Sequence, residues 1–80
     1  MQITIRLLAS YHRYVPEGRD PQAGYPLVVE LGATIGQVLL ELPIPADNPC
    51  TFLVNGRHAA RDQIVQEGDV LAIFPAVGGG

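Results

Sequence analysis

One short amphipathic helix constrains the fold of this chain most. Its start is marked by Thr34 followed three residues later by Gln37, a capping box in which each side chain satisfies a free backbone N–H at the helix start. A single apolar stripe follows at helical spacing, formed by Ile35, Val38, Leu39 and Leu42. Pro43 is predicted to end the helix. A helix of about two turns is unstable alone in water, so its stripe must lie on a sheet.

The strands of that sheet are indicated by short runs of β-branched and aliphatic residues. These runs cover residues 1–8, 27–31, 51–54, 57–60 and 70–74. The predicted class is α+β, a mixed four- to five-stranded sheet with one helix across one face. The first and last strands are expected at its centre, because residues 70–74 are all apolar. In the second strand, Leu27, Val29 and Leu31 are expected to point the same way.

The connections carry recognisable turn signals. Asn55-Gly56 predicts a tight hairpin and is assigned wholly to turn chemistry. Residues 9–24 contain two prolines and two glycines and are predicted to be a loop, in which Tyr11, His12, Arg13 and Tyr14 are polar surface residues. Residues 61–66 are expected to be irregular but anchored to the core by Ile64 and Val65.

Composition restricts the classes of partner. Five arginines stand against eight carboxylates, and the net charge of −3 argues against nucleic acid or an anionic membrane. Neither a signal-like leader nor an apolar run of membrane-spanning length is evident, so a cytoplasmic location is expected. The single cysteine, Cys50, has no partner for an internal disulfide and is interpreted as a small residue at a loop or strand start. No paired cysteine and histidine spacing suggests a metal site.

Two groups of polar residues are candidate sites. Ser10 and His12 are close in sequence, but no third group that would orient them is evident. Arg57, His58 and Arg61 could bind an anion beside the hairpin, although charges on an edge strand more often prevent edge-to-edge pairing. Neither group gives a catalytic constellation.

The C-terminus gives the more specific signal. Residues 1–75 are predicted to form the folded domain, and residues 76–80 a flexible tail that ends in Gly78, Gly79 and Gly80. Glycine has no side chain, so such a tail can enter a channel too narrow for other residues. Five extended residues reach about 17 Å. The tail is therefore interpreted as a device that presents the Gly80 carboxylate, and the chain has no lysine whose amine could capture an activated form of it.

The residues just before the tail are candidates for partner binding. The last strand is apolar throughout, but one helix can cover only one face of the sheet, which would leave an apolar patch for a partner. Phe74 and Pro75 are expected to belong to this docking surface, together with Val77. The alternative is that Phe74 packs wholly into the core.

The ordered motifs of the chain resemble those of the MoaD/ThiS family of sulfur-carrier proteins, which have a ubiquitin-like β-grasp fold. The resemblance rests on residues 32–40, 53–57, 67–70 and 73–80. The ending Phe-Pro-x-Val-x-Gly-Gly is closest to the small subunit of molybdopterin synthase. The third terminal glycine and Ala76 depart from that subunit and leave the branch of the family open.

This resemblance implies a carrier rather than an enzyme. An activating enzyme related to ubiquitin E1 would adenylate the Gly80 carboxylate with ATP, and a cysteine desulfurase or rhodanese-like donor would supply sulfur to form a thiocarboxylate. A larger synthase subunit would then receive the tail, and the carrier itself would bind no cofactor. Alternatives are a sulfur carrier for thiamine or amino-acid biosynthesis, a protein modifier conjugated through Gly80, and a β-grasp interaction domain with an inert tail.

Overall fold

The computed structural model describes residues 1–20, 22–45 and 50–76, which contain five strands and two short helices. The strands, in chain order, are β1 (Gln2–Leu7), β2 (Tyr25–Val28), β3 (Cys50–Val54), β4 (Arg57–Ala59) and β5 (Val70–Pro75). The helices are a 3-10 helix, Ala9–Tyr14, and the α-helix α1, Ile35–Leu39. No helix in these described ranges is long and apolar enough to cross a membrane.

The five strands form one mixed sheet in the order β2-β1-β5-β3-β4. β1 and β5 run parallel, whereas the other neighbouring pairs are antiparallel. The prediction that the first and last strands are central is confirmed. β5 has a hydrogen-bonded neighbour on each side along its length, and this fixes the line along which the chain leaves the sheet.

The capping box of α1 is present as predicted. The hydroxyl of Thr34 accepts a hydrogen bond from the backbone N–H of Gln37 at 3.2 Å, and the Gln37 side chain accepts one from the N–H of Thr34 at 2.8 Å. The helix ends at Leu39, before Pro43, because the N–H of Leu40 bonds to the carbonyl of Gln37 and tightens the last turn. Leu42 lies beyond the helix but is still buried in the core.

The core lies between α1 and one face of the sheet. Its most completely buried side chains are Ile3, Ile5, Leu7, Ile35, Val38, Val65, Leu71 and Ile73. The alternation expected for the first strand is confirmed, since the odd-numbered residues of β1 are buried while the even-numbered ones are not.

The segment predicted to be a polar loop begins with the 3-10 helix. Tyr11 is only 2% exposed, and Tyr14 and Val15 pack against the core, so the prediction of a polar surface loop is wrong here. The three apolar residues are spaced i, i+3 and i+4, which places them on one side of a helical turn. That spacing was the overlooked signal, and the turn closes the end of the core beside β5.

The second strand begins earlier and ends earlier than predicted. Tyr25 is already paired with Ile5, and the strand stops at Val28. Val29 is buried, but Leu31 is 89% exposed, because the chain turns after Val28 and strand alternation no longer applies. The expectation that Leu31 points the same way as Leu27 and Val29 in one strand is therefore wrong.

The β3–β4 hairpin confirms the turn prediction and adds a second role for Asn55. Asn55 and Gly56 both have positive φ angles, 52° and 85°. The Asn55 side chain also accepts a hydrogen bond from the N–H of Val70 at 2.9 Å and donates one to Asp69 at 3.0 Å. It thus ties the hairpin to the start of β5, a contact that turn chemistry alone does not reveal.

The segment between β4 and β5 is anchored by one residue rather than two. Val65 is buried, but Ile64 is 55% exposed although its backbone bridges to Thr34. The prediction is therefore confirmed for Val65 and wrong for Ile64.

Candidate functional site

The candidate site lies on the face of the sheet opposite α1, which we call the open face. β1, β5 and β3 contribute to it Thr4, Arg6, Ala72, Phe74, Thr51 and Leu53, as the alternation along each strand requires. Arg6 is paired with Ala72, Ala72 with Leu53, and Leu53 with His58 of β4. A row of side chains thus crosses four strands.

Phe74 lies on the open face and outside the core. It is half-buried, whereas its neighbour Ile73 is fully buried on the helix side. Phe74 belongs neither to the core cluster nor to the partly buried residues packed against it. An aromatic side chain placed in this way has apolar surface available to a partner.

Pro75 ends β5 and is half-buried opposite Cys50. A proline cannot donate a backbone hydrogen bond, so the ladder with β3 cannot continue through its nitrogen. The tail predicted to carry function starts here. Ala76 is described and half-buried, whereas Val77, Gly78, Gly79 and Gly80 lie outside the described residues.

Arg6 is a charged residue of the open face that sequence reasoning missed. Its side chain is half-buried, and its Nε atom is buried without a hydrogen-bond partner in the described structure. A guanidinium has five N–H donors and no acceptor, so a buried Nε–H needs an acceptor from another group. The signal was available, since Arg6 is the one charged residue in the first predicted strand.

Gly24 packs tightly against the same part of β1. It has a φ of 80°, and a Cβ atom there would lie 2.7 Å from the carbonyl oxygen of Ile5 and 2.9 Å from Cγ of Arg6. Only glycine fits, because both the backbone conformation and the space exclude a side chain. The segment that leads into β2 is thereby held beside Arg6.

The other polar groups do not form a site. Arg57 and His58 are consecutive strand residues and point to opposite faces of β4. Arg61 lies elsewhere, over the ring of Phe52 at 5.4 Å from its centroid, so the three cations do not converge on one anion. Ser10 and His12 are exposed on the 3-10 helix. Among the described residues there is no cluster of metal-ligating side chains.

Two further details concern buried polar groups of the core. The hydroxyl of Tyr11 and Sγ of Cys50, at the start of β3 as predicted, are 3.5 Å apart. Burial raises the pKa of the Tyr25 hydroxyl above its ordinary value of 10.0.

Comparison with known proteins points to one family. The model of the ThiS family matches residues 21–80. A search among curated protein sequences found no significant match.

Solved structures of similar shape cover almost the whole chain. SAMP1 from Haloferax volcanii has a TM-score of 0.69 and 24% identity, with all of both chains covered. A putative molybdopterin converting factor, subunit 1, from Pyrococcus furiosus has a TM-score of 0.74 and 19% identity, covering 95% of this chain and 98% of that one. At these identities the likeness shows the fold, a ubiquitin-like β-grasp, and the fold prediction is confirmed.

Proposed function

The chain belongs to the ThiS family, and on that premise we propose that it is a sulfur carrier whose terminal Gly80 carboxylate becomes a thiocarboxylate. The observation that carries the proposal is that the family match runs through Gly80, the last of three glycines. β5 supports it, because the central strand of the sheet ends only five residues before that carboxylate.

The proposed chemistry takes place on partner enzymes. An E1-like activating enzyme joins the Gly80 carboxylate to the α-phosphate of ATP and releases pyrophosphate. The terminal sulfur of a cysteine persulfide, loaded by a desulfurase or a rhodanese-like donor, attacks the acyl carbon and displaces AMP. A thiol then cleaves the resulting acyl disulfide by exchange and leaves the sulfur on Gly80. Adenylation supplies the leaving group that a free carboxylate lacks.

The proposed acceptor reaction is molybdopterin or tungstopterin synthesis in a larger synthase subunit. Its support is the ending Phe74-Pro75-Ala76-Val77 before the glycines, together with the fold shared with the P. furiosus protein. The folded body would dock outside the synthase while the tail reaches its active site. We assign Phe74, Pro75 and Val77 to the docking contact and place the carrier in the cytoplasm.

A second candidate function is protein modification through Gly80. It is supported by the shape shared with small archaeal modifier protein 1, of which the chain covers 98% at a TM-score of 0.69. The two functions differ in the nucleophile that takes the activated acyl group, a sulfur atom in one case and a lysine amine of a target protein in the other. A tagged copy expressed in its host would give larger bands stable to thiols only if it modifies proteins.

The test of the carrier function is the intact mass after incubation with the activating enzyme, ATP and a sulfur source. We expect a gain equal to the difference between one sulfur and one oxygen atom. Deletion of Gly79 and Gly80, or Gly79→Trp, should abolish this gain with little change in stability, because glycine has no side chain whose burial could be lost. Gln22→Trp, an equally bulky change at an exposed loop position, is the matched control and should show the same mass gain as the wild type. Sulfur uptake by the deletion variant would contradict the proposal.

A further inference from the structure

We propose that Arg6 is the charged anchor of the open face and that it binds a carboxylate on the activating enzyme that docks there. This inference rests on the proposed function, since it specifies what the partner of the same site must carry. The partner surface should be apolar around a single acidic side chain.

The first argument is the state of Arg6 in the free protein. Its Nε atom is buried and unpaired in the described structure, while Cγ is confined beside Gly24. A buried donor that lacks an acceptor lowers stability, and a cationic donor does so more strongly. An acceptor supplied by a partner would remove this cost at the moment of docking.

The second argument is that, within the described residues, no acid is paired with Arg6 across the sheet. The residues that follow Arg6 across the sheet are Ala72, Leu53 and His58. Two carboxylates near the ends of the central strands are already occupied. Glu67 accepts a hydrogen bond from the N–H of Gln2 at 3.1 Å, and Asp69 accepts one from the N–H of Gln66 at 2.8 Å.

The third argument is the position of Arg6 relative to the tail. Phe74 stands two residues beyond Ala72 on the same face, about 7 Å away along β5. A protein that receives the tail at Pro75 and covers Phe74 therefore also covers Arg6. An uncharged apolar surface would leave the guanidinium buried and unpaired, so the residue selects partners that carry an acid.

A planar guanidinium is suited to this role. It can donate two parallel hydrogen bonds to one carboxylate, which fixes direction as well as charge. Lysine cannot reproduce that geometry, so Arg6→Lys should weaken binding although it keeps the charge.

The experiment combines side-chain NMR with calorimetry on the whole chain. The five arginines give five Nε–Hε signals, and the loss of one in Arg6→Lys assigns the signal of Arg6. Addition of the purified E1-like activating enzyme of the same organism should shift this signal and slow its exchange with solvent. Arg6→Met should weaken binding about 30-fold or more without lowering the melting temperature. Arg13→Met, which removes an exposed cation stacked on Tyr14, is the control and should bind normally.

Three results would overturn the role proposed for Arg6. An unchanged Arg6 signal in the complex, or wild-type affinity in both Arg6 variants, would overturn the inference. So would a shift of the Arg6 signal in free protein that lacks Gly79 and Gly80, because the terminal carboxylate would then be its acceptor. If Arg6→Met does not fold, Arg6→Lys provides the affinity measurement.

The same samples separate this inference from the proposed function. Sulfur transfer to the wild type and to Arg6→Met at equal rates, with enzyme limiting, would overturn the role of Arg6 alone. Binding that depends on Arg6 without any sulfur transfer would overturn the carrier function alone. A wild type that neither binds nor gains sulfur would overturn both.

Discussion

The two faces of the sheet are built from the same strands but have different compositions. On the helix side, Ile5 and Leu7 of β1 and Leu71 and Ile73 of β5 are completely buried. On the open face the alternate positions are occupied by glutamine, threonine and arginine in β1, and by valine, alanine and a half-buried phenylalanine in β5. One face therefore supplies most of the apolar burial of the domain, while the other retains contact surface for a partner.

This contrast indicates how a domain of 80 residues combines stability with binding. A small domain buries a limited share of its surface, so the residues of one face must pack efficiently. The alternation of a strand allows adjacent residues to meet different requirements. Ile73 and Phe74 are the closest example, and substitutions on the two faces should differ accordingly.

The largest effect is expected for Leu71→Ala, which removes a completely buried side chain from the core on the helix side of the sheet. The loss of burial and the cavity left behind should lower the free energy of unfolding by about 2–5 kcal/mol. Chemical denaturation measures the change. Thr4→Ala, on the open face of the neighbouring strand, should cost less than about 1 kcal/mol. Equal losses at the two positions would remove the distinction between the faces.

Gly24→Ala should be strongly destabilising, although Gly24 lies outside the core. The new Cβ would clash with the carbonyl of Ile5 at a positive φ, and we expect a loss of about 2–3 kcal/mol. Gly18→Ala is the matched control, because Gly18 has a φ of 86° but nothing within 4 Å of the added atom. Its cost should be only the backbone strain, about 1–2 kcal/mol. Identical urea midpoints for the two variants would argue against close packing at Gly24.

Phe74→Ala should lower stability only modestly and partner binding strongly. Half-burial outside the core limits the loss to about 1–2 kcal/mol. Loss of an aromatic anchor beside the tail should greatly weaken binding to the activating enzyme. Leu40→Ala removes a side chain that is 77% exposed at the end of α1, on the other side of the sheet, and should leave both properties unchanged. An unfolded Phe74 variant would show that this residue belongs to the core and contradict its docking role.

The smallest effect is expected for the pH dependence of the free energy of unfolding, through Tyr25. Tyr25 is paired with Ile5 and is 8% exposed, and this burial raises the pKa of its hydroxyl above 10.0. The unfolded chain then loses this proton first, so the associated stability is complete below pH 10 and is lost as the pH rises through the folded pKa. Unfolding free energies from pH 8 to 11 should fall more steeply for the wild type than for Tyr25→Phe. Parallel curves would contradict the assigned pKa.

The sequence by itself determined the local elements, because their causes lie within a few residues of each other. Thr34 and Gln37 specify the helix start through contacts across one turn, and Asn55-Gly56 supplies the φ angles of the hairpin. Period-two alternation likewise assigned the two faces of β1. The glycine tail could be recognised from composition alone, although its residues lie outside the described structure.

Tertiary structure decided which of these residues are covered, because burial depends on segments far apart in the chain. Tyr11 is buried because the turn that carries it packs against the core beside β5, while Leu31 is exposed because the chain turns away after Val28. Arg6 reads as an ordinary polar residue of an alternating strand. Its Nε becomes a buried donor without a partner in the described structure only once β5 lies beside it and Gly24 packs against its Cγ. The pairing of β1 with β5, which are far apart in the chain, thus determines the surroundings of Arg6, and these surroundings determine which partner group it can bind.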